Sequence, residues 1–323
     1  MHVSTCTWKN HPTGKMIDCG CPTRAHASSL RTVRKSLRSA FGDLGVLSPW
    51  CQQSQSGNPV WSRLVKDYEA AVNREQLRAD VHSVKAPLFD FLILQQLLRT
   101  IITAAGSHAR NKHHRAAIAA LSDAFLFSFM FATGDRLADA LERDWNRITT
   151  AVDFDAAAPS AATAAHRTHW IIRRGVSKTR QKVDVELRHT IRNDGNWWNP
   201  IRISDKLAAL EKRAGMPARA GKLFKKLKPS NHDKLEWGFD LTVNSASKRL
   251  ADWLKAAQLP ASVTPHSFHG SHALWRLQLG HDTKEIVRDM HWSEEQLWNY
   301  LDQPVLTVSG ERLTNATAYF RRR

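Results

Sequence analysis

Apolar residues recur at helical spacing in several windows of this 323-residue chain. Over 27–41, Leu30, Val33, Leu37 and Phe41 form a stripe while Arg31, Arg34, Lys35 and Arg38 occupy other faces, which predicts a basic amphipathic helix. Gly57-Asn58-Pro59 reads as a loop and a helix start. After it, Trp61, Leu64, Val65, Tyr68 and Val72 keep helical spacing and are expected in a core. A third helical segment is predicted near 77–84. Lys85-Ala86-Pro87 then reads as a linker, because proline disfavours helix in the residue before it. Further on, the pattern predicts an apolar helix over 88–104, a basic loop over 107–115 and a long apolar helix over 116–131. The runs 170–173 and 182–187 are β-branched or alternating and flank Gly175-Val176-Ser177-Lys178-Thr179-Arg180, a β-hairpin with a basic tip. An Ala-rich stretch over 153–165 reads as a flexible loop, and 243–257 as another amphipathic helix. No internal repeat is present.

These elements predict a mainly α chain with a small β-hairpin or sheet, an α+β fold. Its divisions are a polar segment over 1–26, a helical domain over 27–86, a mixed and mostly helical domain over 87–305, and a basic tail over 306–323. The tail, ending Phe320-Arg321-Arg322-Arg323, is expected to dock on a neighbouring subunit, to touch DNA or to be disordered.

Charge sharpens the picture. Lys+Arg 47 against Asp+Glu 30 gives a net charge of +17, which favours a polyanionic partner, nucleic acid first, over a merely soluble basic protein. The basic helix over 27–41 is then expected along DNA phosphates, a solvated surface helix being the alternative. The longest apolar run, 116–132, is interrupted by Ser122-Asp123 and fits a buried helix better than a membrane span. The N-terminus lacks a compact apolar core with a small-residue cleavage site, so secretion is not expected. Four cysteines in a chain this long do not make a disulfide framework. Cys6, Cys19 and Cys21 with His26 could form a small structural zinc knuckle, or the cysteines could be ordinary free thiols.

The sharpest local signal is Thr133-Gly134-Asp135-Arg136 with Asp139 three residues on. It reads as the end of a buried helix, a glycine break, and an arginine opening the next helix. Such an arginine suits a planar clamp on phosphate, or else makes an exposed pair with Asp139. Later features keep a fixed order: Lys178 at the hairpin tip, His266 in Thr264-Pro265-His266-Ser267-Phe268-His269, His291-Trp292, and Tyr300 eight residues after Trp292.

This order resembles the catalytic domain of the tyrosine recombinases, the phage-integrase family, over roughly 87–301. Its short motifs look most like the eukaryotic transposon branch of Crypton-like and DIRS-like elements. The resemblance implies a helical core-binding domain plus a catalytic domain in a C-shaped clamp around double-stranded DNA, acting as a dimer or tetramer in the nucleus. It implies Tyr300 as nucleophile, forming a covalent 3′-phosphotyrosine, with no metal or nucleotide cofactor required. Arg136 would clamp the phosphate, Lys178 would protonate the leaving oxygen, and His266 would assist proton transfer or phosphate binding. Trp292 occupies the family's His/Trp position under the eukaryotic spacing and His291 under the bacterial one. Phosphate contacts are expected from Arg31, Arg34, Lys35, Arg38, Arg180 and Lys182. The bland readings stay open: a basic hairpin tip for Lys178, an amphipathic helix-end residue for Tyr300.

One position departs from the family pattern. Where the family has a second arginine, this chain has His269, which offers one donor in place of a fork. Arg276, two turns further, is the candidate substitute. A non-catalytic DNA-binding protein that keeps the recombinase fold is therefore the alternative function, and a type IB topoisomerase a third.

Overall fold

The computed structural model describes residues 27–78, 86–153, 167–174, 187–193, 195–229, 235–290 and 292–321. They form a mainly helical α+β arrangement in two units, Met1–Lys85 and Ala86–Arg323.

In the first unit, α1 (Ala27–Asp43) and α2 (Arg63–Arg78) flank a 3-10 turn, Pro59–Trp61. The turn starts where the sequence places it, because the Asn58 side chain accepts from Val60 N–H and Pro59 opens it. Arg34 pairs with Glu69, and the Arg38 guanidinium lies 4.5 Å over the Trp61 ring. Both arginines are thus engaged inside the unit, while Lys35 stays exposed; the Arg31 side chain is outside the described residues. The expected core is only partly formed. Val60 and Val72 are buried, but Leu64 is 79% exposed and Tyr68 55%, as are Val33 (54%) and Leu37 (47%) on α1. Two helices and a turn offer too little surface to cover both apolar stripes.

The second unit is built around α4 (His114–Thr133), which packs against α3 (Phe91–Arg110), α6 (Pro200–Arg213) and α8 (Pro265–Gln278). Phe125 and Phe129 on one face of α4, and Phe127 and Phe131 on the other, are all fully buried, which marks a helix enclosed all round. Phe125 meets Phe224, Phe127 meets Phe268, and Phe131 meets Trp198 and Trp275. Among the described residues α4 is the one helix long and apolar enough to cross a membrane, and its window is 83% buried inside the protein. The polar interruption foreseen at Asp123 is a buried carboxylate held by Arg249 at 2.9 Å and by the Trp253 indole N–H at 2.9 Å.

The predicted helix over 88–104 begins later and ends later. Leu88–Phe89 is a strand, β1, and Asp90 caps α3 by accepting from Leu92 N–H. The predicted hairpin is present as an antiparallel pair whose second strand begins later, at Leu187, and it is one of three small sheets among the described residues. β2 (Ile148–Asp153), β3 (Arg167–Arg174) and β4 (Leu187–Arg192) form an antiparallel sheet. β5 (Lys225–Leu227) pairs with β6 (Trp237–Asp240). β1 pairs in parallel with β7 (Val305–Leu306), which pairs with β8 (Arg312–Leu313). The Ala-rich stretch and the hairpin tip fall almost wholly outside the described residues.

The remaining helices are α5 (Leu137–Leu141), α7 (Val243–Ala256), α9 (Thr283–Met290), α10 (Glu294–Leu301) and α11 (Ala316–Phe320). β1 works as a latch. Leu88 N–H donates to Pro304 O, Asp90 N–H to Leu306 O, and Phe89 N–H to the Ser271 hydroxyl at 2.7 Å. One short strand thereby ties α3, α8 and the chain just after α10 together. The tail packs on its own unit: Ala316 and Tyr319 are buried, and Gln278 donates to the Tyr319 hydroxyl.

Behind the α4–α5 turn lies a buried ion pair that the sequence reading passed over. Arg143 grips Asp135 with Nε at 2.9 Å and Nη2 at 3.0 Å, and both residues are under a tenth exposed. Removing one partner strands a buried charge, so Asp135→Ala should cost about 3–5 kcal/mol in urea unfolding. The double replacement Asp135→Leu/Arg143→Leu should recover most of that loss; a double variant as unstable as the single one would show the pair is not an isolated unit.

Candidate active site

The site begins where α4 stops. Gly134 takes a left-handed conformation (φ 62°) at the helix C-cap, and a Cβ there would lie 2.6 Å from Met290 Sδ and 2.9 Å from the His272 ring. Only glycine fits both the angle and the space. The Thr133 hydroxyl donates to Phe129 O at 2.8 Å and accepts from Asp135 N–H at 3.2 Å, so the turn is fixed on both sides. Arg136 follows as the exposed N-cap of α5. Among the described residues no carboxylate pairs with it, so the alternative pairing with Asp139 is not formed.

α8 brings three histidines, His266, His269 and His272, on successive turns. Pro265 opens it, and the Ser267 hydroxyl accepts from Thr264 N–H at 3.1 Å. His269 and His272 both reach the end of α4. His272 Nδ1–H donates to Phe131 O at 2.6 Å, and His269 Nδ1–H to Gly134 O. Carbonyls in the last turn of a helix lack intrahelical donors, and these imidazoles supply them. His269 also accepts, through Nε2, from the Trp292 indole N–H at 3.2 Å. With one nitrogen donating and the other accepting, the ring is neutral and its tautomer fixed. Its pKa is pushed down to about 4, chiefly by burial, with Arg136 and His266 adding repulsion against the Gly134 carbonyl and Asp135.

α10 carries the tyrosine. Ser293 and Gln296 form a capping box, Gln296 N–H to Ser293 Oγ at 3.1 Å and Ser293 N–H to Gln296 Oε1 at 3.0 Å, which starts the helix just after Trp292. Tyr300, two turns later, lies flat on Trp292, with ring centroids 4.4 Å apart and planes 8° apart. The His269 ring stands edge-on to both. From α8, Gly270 lets the tyrosine ring approach, since a Cβ there would sit 2.9 Å from Tyr300 Cδ1. The Tyr300 hydroxyl reaches His266 Nε2 at 3.3 Å. The His266 pKa is lowered, first by desolvation and then by Arg136. A neutral imidazole can accept the phenolic proton, and the guanidinium stands close enough to bias both histidines.

Arg136, His266, His269, Trp292 and Tyr300 therefore converge from α5, α8 and α10. Lys178, Arg180, Lys182 and His291 lie outside the described residues, as do Cys6, Cys19, Cys21 and His26. Two expectations need correction. His269 does not face the site as a weak stand-in for an arginine; both ring nitrogens are already used by Gly134 and Trp292. Arg276 is no substitute either, being buried and paired with Asp289 at 2.8 Å. Tyr319 is buried in the tail packing, which leaves Tyr300 as the tyrosine beside the histidines. The sequence reading also missed Ser271, His272 and the Asp135–Arg143 pair. The histidine spacing of three was the available signal for His272.

No protein-family model and no curated protein matches the chain. Among solved structures, the crystal structure of XerA recombinase is similar, with a TM-score of 0.39 and 13% identity, covering 86% of this chain and 80% of that one. At that score the likeness assigns neither family nor activity, and the functional reading rests on side-chain geometry.

Because His269 is buried neutral, its folded pKa of about 4 lies below the ordinary 6.5. Between those values the unfolded chain binds the extra proton, so stability is full above pH 6.5 and falls as pH drops toward 4. The loss should approach about 3 kcal/mol in urea unfolding, and a His269→Gln variant should lack that component. His269→Arg buries a guanidinium and leaves the Trp292 indole N–H without its acceptor, so it should lower stability by about 3 kcal/mol rather than complete the site. A melting temperature equal to that of the unaltered protein would overturn this.

Proposed function

We propose that this chain cleaves and rejoins DNA strands through a covalent phosphotyrosine, as an enzyme of the tyrosine recombinase type. The observation that carries the reading is the Tyr300 hydroxyl held 3.3 Å from a neutral His266, with Arg136 acting on the same imidazole. Tyr300 Oη attacks the phosphorus as its proton passes to His266 Nε2. The bond from phosphorus to the 5′-oxygen breaks, leaving a 3′-phosphotyrosine. The leaving oxygen takes a proton from a general acid, the role proposed for Lys178. Arg136 faces the non-bridging oxygens, and no metal or nucleotide enters. Attack by a 5′-hydroxyl from a second end reverses the step and joins the strands. Stacking on Trp292 holds the phenol in line, and the surplus of basic residues supports a duplex partner. The motif pattern supports the finer assignment to a mobile element of the Crypton-like or DIRS-like kind, acting in the nucleus as a dimer or tetramer on paired sites.

A second reading has one observation in its favour. With His269 committed to Gly134 and Trp292, Arg136 is the one guanidinium among the described residues that bears on the site histidines, and a missing oxyanion donor costs roughly 10²–10³ in rate. A DNA-binding protein that keeps the catalytic frame without turnover would look the same.

A nicked suicide duplex separates the two. The unaltered protein should give an adduct that survives denaturation, Tyr300→Phe should give none, and Arg136→Ala should form it roughly 10²–10³ slower. Duplex binding with no adduct under any condition would select the binding protein.

A further inference from the structure

At the opposite end of α4 from Gly134, about 30 Å along the helix, lies a cavity of about 660 Å³ between the start of that helix and the β5–β6 sheet. Among the described residues no carboxylate lines it, whereas Lys112, Arg115, Lys225 and Arg249 do. Arg249 is neutralised by Asp123 beneath it. Arg115 and Lys225 donate to backbone carbonyls, those of Lys228 and Ala220, and among the described residues neither has a carboxylate partner, so both keep an uncompensated charge there. Lys112 is exposed, and among the described residues it forms no ion pair. His113, the N-cap of α4, makes no side-chain bond to the first turn, whose N–H groups add to the positive field. The opposite wall is aromatic. Trp237 lines the cavity half-buried, its ring fixed by an indole N–H bond to Glu211 at 3.0 Å.

Three uncompensated cations facing a rigid indole across a space of this size match one ligand chemistry, phosphate joined to a flat aromatic base. We propose that this cavity binds a nucleotide, its phosphates on Lys112, Arg115 and Lys225 and its base against Trp237. The same chemistry is offered by a free nucleoside triphosphate and by one unit of a single-stranded nucleic acid. The site is independent of the reading of Tyr300, since no residue is shared.

The test uses the full chain and a fluorescent ATP analogue followed by anisotropy. Saturable binding is expected, displaced by ATP more strongly than by tripolyphosphate and not by adenosine. Lys112→Glu reverses a charge on an exposed turn, and Ala119→Phe fills the cavity without altering charge. Each should weaken binding about tenfold or more, while Lys112→Glu leaves phosphotyrosine formation unchanged. Competition by a thymidine oligomer of about eight nucleotides at matched phosphate concentration assigns the site to a strand, and its failure to compete assigns it to the free nucleotide. Affinity equal in both variants and the unaltered protein overturns the proposal, and equal displacement by tripolyphosphate and ATP overturns the base contact.

Discussion

The frame of the candidate site depends on one imidazole. His269 donates to the carbonyl of Gly134 and accepts from the indole of Trp292, so a single side chain joins the α4–α5 turn to the start of α10. Each bond is worth little in water, but both are buried, where an unmade partner costs more than a made one gains. Trp292 then passes the constraint on by stacking on Tyr300, and the Phe89-to-Ser271 bond holds α8 from the other side.

Electrostatics follow from the same arrangement. Because both nitrogens of His269 are engaged, adding a proton would destroy one bond and bury a charge beside Arg136. The site therefore keeps His269 neutral and leaves Arg136 as its exposed cation, with His266 tuned toward the base form by that same arginine. A guanidinium beside an imidazole holds the ring in its neutral, acceptor form while weakening it as a base, and its own charge remains available to an anion. Two cations side by side would repel; a cation beside two neutral rings does not.

Much of the fold was legible because its signals are local. Asn58-Pro59, the apolar run of α4, the Thr133-Gly134 break and the helical spacing of α7 each follow from residue-level preferences, and the structure has an element at each place. The β3–β4 hairpin was legible too, but the β1–β7 pairing was not, since these strands are two residues each and exist only through pairing across more than two hundred positions. The first unit failed differently: periodicity announced apolar faces at Leu64 and Tyr68 but could not say that nothing in the described unit covers them. At the site, the identity and order of Arg136, His266, Trp292 and Tyr300 were readable, and their meeting was a long-range fact.

The misreading of His269 shows where residue type stops being informative. By composition, a histidine where an arginine is expected looks like a weaker cation. By environment it is an uncharged connector, and burial decides which description applies. The Asp135–Arg143 pair makes the converse point. There two full charges, one in the turn and one just after α5, are kept buried because each satisfies the other, and their bidentate geometry fixes the backbone beside Arg136 in a way a lone charge could not. A neutral relay on one face of the turn and a closed ion pair on the other leave Arg136 as the group in that turn whose charge is not spent internally. Among the described residues, an exposed arginine with no carboxylate partner, beside a histidine within hydrogen-bond reach of a tyrosine hydroxyl, is an arrangement suited to an anion that arrives from outside.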